Sequence, residues 1–127
     1  MKCKMLHTCL RVMDLEKSLK FYTEALGLVE TGRKDFPENE FTIVYLSDED
    51  ENYEIELTYN YNPEKPYTIG DGFSHLAFSA ENLEEAREEH KKMGYEVTEL
   101  MGLPGEDPRY YFVTDPDGFE IEIIRAK

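Results

Sequence analysis

A tandem repeat constrains this chain more than any other feature. Tyr53-Glu54-Ile55-Glu56-Leu57 returns as Phe119-Glu120-Ile121-Glu122-Ile123 at an offset of 66 residues, and His7, Asp14, Leu15 and Glu16 return as His75, Asn82, Leu83 and Glu84 at an offset of 68. The slippage fits inside a loop, so each half begins with a histidine strand and ends with a Glu-Ile-Glu strand. The elements between these landmarks repeat as well. Leu6 to Val12 reads as a strand. A helical pattern with Leu15, Leu19, Tyr22 and Leu26 on its apolar side then runs from an Asp14 N-cap to a Gly27 stop. Leu28 to Arg33, Phe41 to Leu46 and Tyr53 to Tyr59 read as three further strands. From Phe73 the plan restarts with strand His75 to Ser79, cap Asn82, helix Leu83 to Met93 and stop Gly94, followed by strands Glu96 to Leu100, Tyr110 to Thr114 and Phe119 to Arg125.

The expected fold class is therefore α+β, with two tandem βαβββ modules, about 1–62 and 73–127, making a single domain of curved mixed sheets around a metal site. A unit of roughly 60 residues buries too little apolar surface alone, so the halves are expected to share a sheet or to exchange partners with a second chain. The whole chain of 127 residues, 40% hydrophobic with nine Tyr and seven Phe, can bury a core without disulfide staples. If Cys3 and Cys9 lie on one extended strand they are about 20 Å apart at ~3.3 Å per residue, and they are not expected to pair.

Strand parity narrows the candidate chemistry. Residues i and i+2 share a face, so Glu54 and Glu56 point one way while Ile55 and Leu57 point to the helix-covered side. A single Glu-Ile-Glu triplet is an ordinary wet face of an antiparallel strand. Here His7 and His75 are equivalent under the repeat, and so are the glutamate strands, which points to a site near a pseudo-twofold axis. Two imidazoles and two carboxylates leave two positions open on an octahedral ion and suit Ni²⁺, Co²⁺, Zn²⁺, Fe²⁺ or Mn²⁺. Periodicity leaves Glu54 and Glu120 in competition with Glu56 and Glu122.

The formal charge of −14 argues against nucleic acid or an anionic membrane as a partner. No apolar run approaches the ~20 residues of a membrane helix, and the segment MKCKMLHTCLRV lacks the apolar stretch of a signal sequence, so the expectation is a soluble cytoplasmic protein acting on a small molecule. Several features read as structural. Asp115 to Gly118 is a turn signal, His90 falls in a polar helix end and is expected to be solvated, Cys9 is structural filling, and Asp48 to Asn52 is an acidic turn without the spacing of a calcium loop.

The segments LHTCLRVMDLEKSLKFYTEALGL, EIELTYN, GFSHLAFS and DPDGFEIEII together resemble glyoxalase I (lactoylglutathione lyase), of the vicinal-oxygen-chelate superfamily, over nearly the whole chain. The resemblance implies His7, Glu56, His75 and Glu122 as metal ligands, with Glu54 and Glu120 on the rim. It also implies isomerisation of the methylglyoxal–thiol hemithioacetal, usually with glutathione, to the S-D-lactoyl thioester through an enediolate. In that reaction Glu122 is the main proton carrier and Glu56 can take the corresponding role from the other face. Arg11 and Asn60 match residues that hold the γ-glutamyl end of glutathione. Short segments between Arg33 and Tyr53 and from Asn60 to Gly72 resemble the relatives that prefer Ni²⁺ or Co²⁺ over Zn²⁺, and a homodimer is implied. Some members carry Arg four residues before the second histidine, where this chain has Asp71, so a thiol less anionic than glutathione stands as an alternative. Alternative functions are another metalloenzyme of the superfamily, such as a methylmalonyl-CoA epimerase or a ring-cleaving dioxygenase, or a non-catalytic binding protein of the same fold.

Overall fold

Alternating burial along the strands decides how each half of the chain folds. A computed structural model describes residues 1–127 as two units, Met1–Thr68 and Ile69–Lys127. The first contains β1 (His7–Arg11), α1 (Leu15–Lys20), a π-helical turn (Phe21–Ala25), β2 (Val29–Phe36), β3 (Phe41–Ser47) and β4 (Glu54–Asn60). Its sheet runs β1-β4-β3-β2, with β1 parallel to β4 and the other pairs antiparallel. Leu10, Val44, Leu46, Ile55 and Leu57 alternate into one buried layer together with Val12, Phe21, Tyr22 and Leu28. The opposite parity, including His7, Cys9, Tyr45, Glu56 and Thr58, is left on the open side of the sheet.

The second unit contains β5 (His75–Ala80), α2 (Leu83–Lys92), β6 (Tyr110–Thr114) and β7 (Glu120–Arg125), in sheet order β5-β7-β6 with β5 parallel to β7. Leu83, Tyr111, Val113, Ile121 and Ile123 form its buried layer. Asn82 caps α2 by accepting from Glu85 N at 3.1 Å, as Asp14 caps α1 by accepting from Lys17 N at 3.1 Å. The π-helical turn that continues α1, and α2, are each followed within two residues by a glycine of positive φ, +72° at Gly27 and +93° at Gly94, where a side chain would be strained. No helix is long and apolar enough to cross a membrane.

Three expectations are corrected. The strand expected at Glu96 to Leu100 is reduced to isolated bridges, Val97 to Val113 and Met101 to Tyr110. Thr98 disrupts the ladder. Its hydroxyl, rather than a carbonyl, accepts from Phe112 N at 2.9 Å, and its carbonyl accepts from Arg87 Nε at 2.7 Å. The first helix does not run regularly to Leu26, because α1 passes into the π-helical turn at Phe21. The wider turn buries two consecutive aromatics, Phe21 and Tyr22, whose rings meet edge-on at 4.9 Å. Leu15, Leu19 and Leu26 are only half-buried. Finally, His90 is buried, not solvated, with Nδ1 2.8 Å from the Tyr111 hydroxyl. It lies two turns after Leu83, on the same face of α2, although its sequence neighbours are charged.

Candidate active site

The two repeats place their histidines and glutamates in the same way. In the parallel pair β1–β4, His7 lies across from Glu54 and Cys9 across from Glu56. In the parallel pair β5–β7, His75 lies across from Glu120 and Ala77 across from Glu122. In both halves the imidazole passes its direct partner and meets the next glutamate on the same face. His7 Nε2 is 3.1 Å from Glu56 Oε2, and His75 Nε2 is 3.3 Å from Glu122 Oε1. The histidine side chains are 39% and 33% exposed and the carboxylates 13% and 18%, so both pairs are held in place yet open to small molecules.

Side-chain contacts separate the competing carboxylates. Glu54 accepts a hydrogen bond from the Thr31 hydroxyl, and Glu120 is exposed without reaching a histidine. The pairs that face imidazoles are the ones built on Glu56 and Glu122.

Neighbouring groups fix each pair. The Tyr45 ring meets His7 edge-on at 5.9 Å, and the Phe112 ring meets His75 edge-on at 5.2 Å. Ser74 Oγ is 2.7 Å from His75 Nδ1, so one ring nitrogen is engaged behind the site while Nε2 faces Glu122. The turn Asp115 to Gly118 sets the start of β7: the Asp115 carboxylate accepts from Asp117 N at 2.9 Å and Phe119 N at 2.8 Å, and Gly118 takes φ +93°. It is a structural turn, as its composition indicates.

Each pair offers one imidazole nitrogen and one carboxylate, a nitrogen–oxygen donor set that fits a divalent first-row metal. Two donors are fewer than the four or more such ions take, and the chain has no group of three or more His, Cys, Asp and Glu side chains placed to hold a metal. Each repeat therefore brings together two potential donors, His7 with Glu56 and His75 with Glu122.

Arg11 is exposed on the His7 face, across from Thr58, and takes part in none of the ion pairs. Asn60 is half-buried, its amide donating to the Tyr67 hydroxyl at 3.1 Å. Cys3 and Cys9 are both free and exposed. Burial pushes the Cys9 thiol up, which is the opposite of activation.

One residue of the site was not read from the sequence. Tyr45 lies directly across from Glu56 in the antiparallel pair β3–β4, and its hydroxyl is hydrogen-bonded to that carboxylate, the main cause of its raised pKa. Strand parity could have found it, since Phe41, Ile43 and Tyr45 alternate with the buried Thr42, Val44 and Leu46.

A family model described as the Glyoxalase/Bleomycin resistance protein/Dioxygenase superfamily matches residues 4–123. Lactoylglutathione lyase from Neisseria meningitidis serogroup A is 39% identical over 127 residues, which cover 98% of this chain and 91% of that one. Glyoxalase I from Zea mays superposes with a TM-score of 0.88 at 35% identity; the match covers 97% of this chain but 44% of the maize chain, so this chain spans less than half of it. The trypanothione-dependent glyoxalase I of Leishmania major superposes with a TM-score of 0.83 at 35% identity, covering 98% and 87% of the two chains. The repeat, the sheets and these likenesses agree, and the chain belongs to the glyoxalase/bleomycin resistance protein/dioxygenase superfamily.

Proposed function

We propose that the chain is a metal-dependent lactoylglutathione lyase, isomerising the hemithioacetal of methylglyoxal and a thiol, usually glutathione, to the S-D-lactoyl thioester. The observation that carries this reading is the His–Glu pair repeated in identical register, His7 with Glu56 and His75 with Glu122. The near full-length likeness to a lactoylglutathione lyase favours it over an epimerase, a dioxygenase or a binding protein.

His7, Glu56, His75 and Glu122 would hold the divalent ion, two ligands from each half of one glyoxalase-type domain. When bound, the ion supplies Lewis-acid stabilisation of the charge that develops on the substrate oxygens. The remaining work belongs to side chains. The Glu122 carboxylate takes the proton from the carbon bearing sulfur and returns it to the adjacent carbon, while the hydroxyl proton of the first carbon passes to the oxygen of the second, so the product is an isomer with no net gain or loss of protons. Glu56 is the equivalent group from the first repeat. The Arg11 guanidinium suits the carboxylate of the thiol's γ-glutamyl end, and the Asn60 amide lies on the same strand as Glu56, four residues on.

We further infer a homodimer in the cytoplasm, with Ni²⁺ or Co²⁺ preferred over Zn²⁺. The acidic balance of −14 and Asp71 favour a second reading of the co-substrate, a thiol carrying less negative charge than glutathione. The Leishmania major neighbour is described as trypanothione-dependent, so use of a different thiol has a parallel among similar folds.

The test is thioester formation followed by ultraviolet absorbance, with metal-stripped protein reloaded with each ion and offered methylglyoxal and several thiols. Turnover with at least one ion and thiol is expected. No turnover with any combination would remove the lyase reading.

A further inference from the structure

The two repeats match around their histidines and differ around their carboxylates. On one neighbouring strand Cys9 lies across from Glu56, where Ala77 lies across from Glu122. On the other neighbouring strand Tyr45 lies across from Glu56, where Phe112 lies across from Glu122. Two residues further along the same face, Thr58 follows Glu56 and Ile124 follows Glu122. All three neighbours in the first repeat carry a hydroxyl or thiol; all three in the second are hydrocarbon.

The polar groups reach the carboxylate. Thr58 Oγ1 donates to Glu56 Oε1 at 3.2 Å, and the Tyr45 hydroxyl is hydrogen-bonded to the same carboxylate. Cys9 Sγ stands 3.3 Å from Thr58 Oγ1, and its thiol is also hydrogen-bonded to Glu56. Ala77, Phe112 and Ile124 have no side-chain donor to offer Glu122. Packing does not account for the difference, because Tyr45 and Phe112 each lie edge-on against the histidine of their own repeat. Those two positions differ by one oxygen atom.

A carboxylate has about four lone-pair sites. With hydroxyl and thiol donors on several of them, Glu56 turns only by breaking several hydrogen bonds together, and it accepts a substrate proton only by giving up a donor. Glu122 is under no such restraint.

We propose that Tyr45 is a positioning residue which, with Cys9 and Thr58, holds the Glu56 carboxylate in one orientation as a ligand and so leaves Glu122 as the carboxylate that turns and carries the proton. This rests on the reading of Glu56 and Glu122 as ligands of one site. It deepens that reading by dividing the labour between two residues that the repeat alone makes equivalent.

The test compares Co²⁺ uptake by calorimetry in the metal-stripped full chain and in its Tyr45→Phe, Thr58→Val and Glu56→Gln variants, with steady-state kinetics of Phe112→Tyr beside it. Removing a partner that orients a metal ligand weakens metal binding about 10–100-fold, and Tyr45→Phe is expected to weaken Co²⁺ binding about tenfold without changing the melting temperature of the metal-free chain. Thr58→Val removes a different donor and should weaken binding in the same direction. Phe112→Tyr places a hydroxyl beside Glu122 and should lower kcat several-fold at unchanged KM. Weakened Co²⁺ binding in Glu56→Gln with wild-type binding in Tyr45→Phe overturns the positioning role and leaves the ligand reading standing. Wild-type binding in Glu56→Gln removes the ligand reading and the proposal with it. An unchanged kcat in Phe112→Tyr refutes the mobility assigned to Glu122.

Discussion

His75 and Glu122 meet at 3.3 Å through Nε2 and Oε1, on strands whose direct register pairs His75 with Glu120 instead. The diagonal contact arises because strand side chains lean along the strand, which carries the imidazole toward the next residue of the same face. The carboxylate therefore stands in line with a fixed nitrogen, and the apolar Ala77 and Phe112 flank it on the neighbouring strands.

That placement makes Glu122→Gln the sharpest single test of the chemistry. The amide keeps the size of the side chain and cannot take a proton, and Glu122 faces the open side of β7 rather than the buried Ile121 and Ile123 layer. Turnover is expected to fall by about 10²–10⁴-fold, the typical contribution of a general base, with an unchanged circular dichroism spectrum and melting temperature. Near wild-type turnover in the folded variant would remove Glu122 from the proton transfer.

Reconstitution with different ions tests the metal preference. Ni²⁺ or Co²⁺ is expected to restore turnover, and Zn²⁺ to bind while restoring little. A nitrogen–oxygen donor set suits all three ions, so affinity is not expected to set the order; Zn²⁺ readily settles into four-coordinate geometry, which would leave no open position once four protein ligands were bound. The short segments between Arg33 and Tyr53 and from Asn60 to Gly72 are the analogy on which the preference stands. Full activity of the Zn²⁺-loaded chain would refute it.

Tyr111→Phe probes the core behind the second sheet. The Tyr111 hydroxyl and His90 Nδ1 are 2.8 Å apart in a buried setting, so removing the hydroxyl deletes a hydrogen bond that water cannot readily replace. A loss of about 1–3 kcal/mol is expected, read as a lower midpoint in urea unfolding with an unchanged slope. An unchanged midpoint would show that this hydrogen bond adds nothing to stability.

The site was legible to the extent that it repeats. His7 and His75, and the two glutamate strands, stand out because the same residues recur at nearly equal offsets. Parity then correctly put Ile55 and Leu57 on the covered side of their strand and Glu54 and Glu56 on the other. The choice between Glu54 and Glu56 was not legible from periodicity, since both share a face and only strand register and side-chain lean decide between them. Tyr45 was missed for a related reason: it lies on β3, in a stretch with no metal-ligating residue, and its role comes from being across from Glu56. His90 misled because the charged residues around it describe the other faces of α2, while its own position lies in line with Leu83. The shortened strand after α2 depended on the side-chain hydrogen bonds of Thr98, which no apolar pattern records.

The proposed homodimer is tested by mixing half-sites. A His–Glu pair supplies two donors, so under the proposed function a complete site would take one pair from each type of repeat, within one chain or across two. If sites form across chains, a His7→Ala protomer paired with a Glu122→Ala protomer contains one intact site, built from the first repeat of the Glu122→Ala chain and the second repeat of the His7→Ala chain, and one site carrying both lesions. Co-refolding two inactive variants should then restore about a quarter of wild-type turnover at equal mixing, because half of the dimers are mixed and each holds one good site of two. Sites made within single chains would restore none, since every site would keep one lesion. Sedimentation in the same samples checks the assembly itself: a fully active monomer at micromolar concentration would overturn the homodimer.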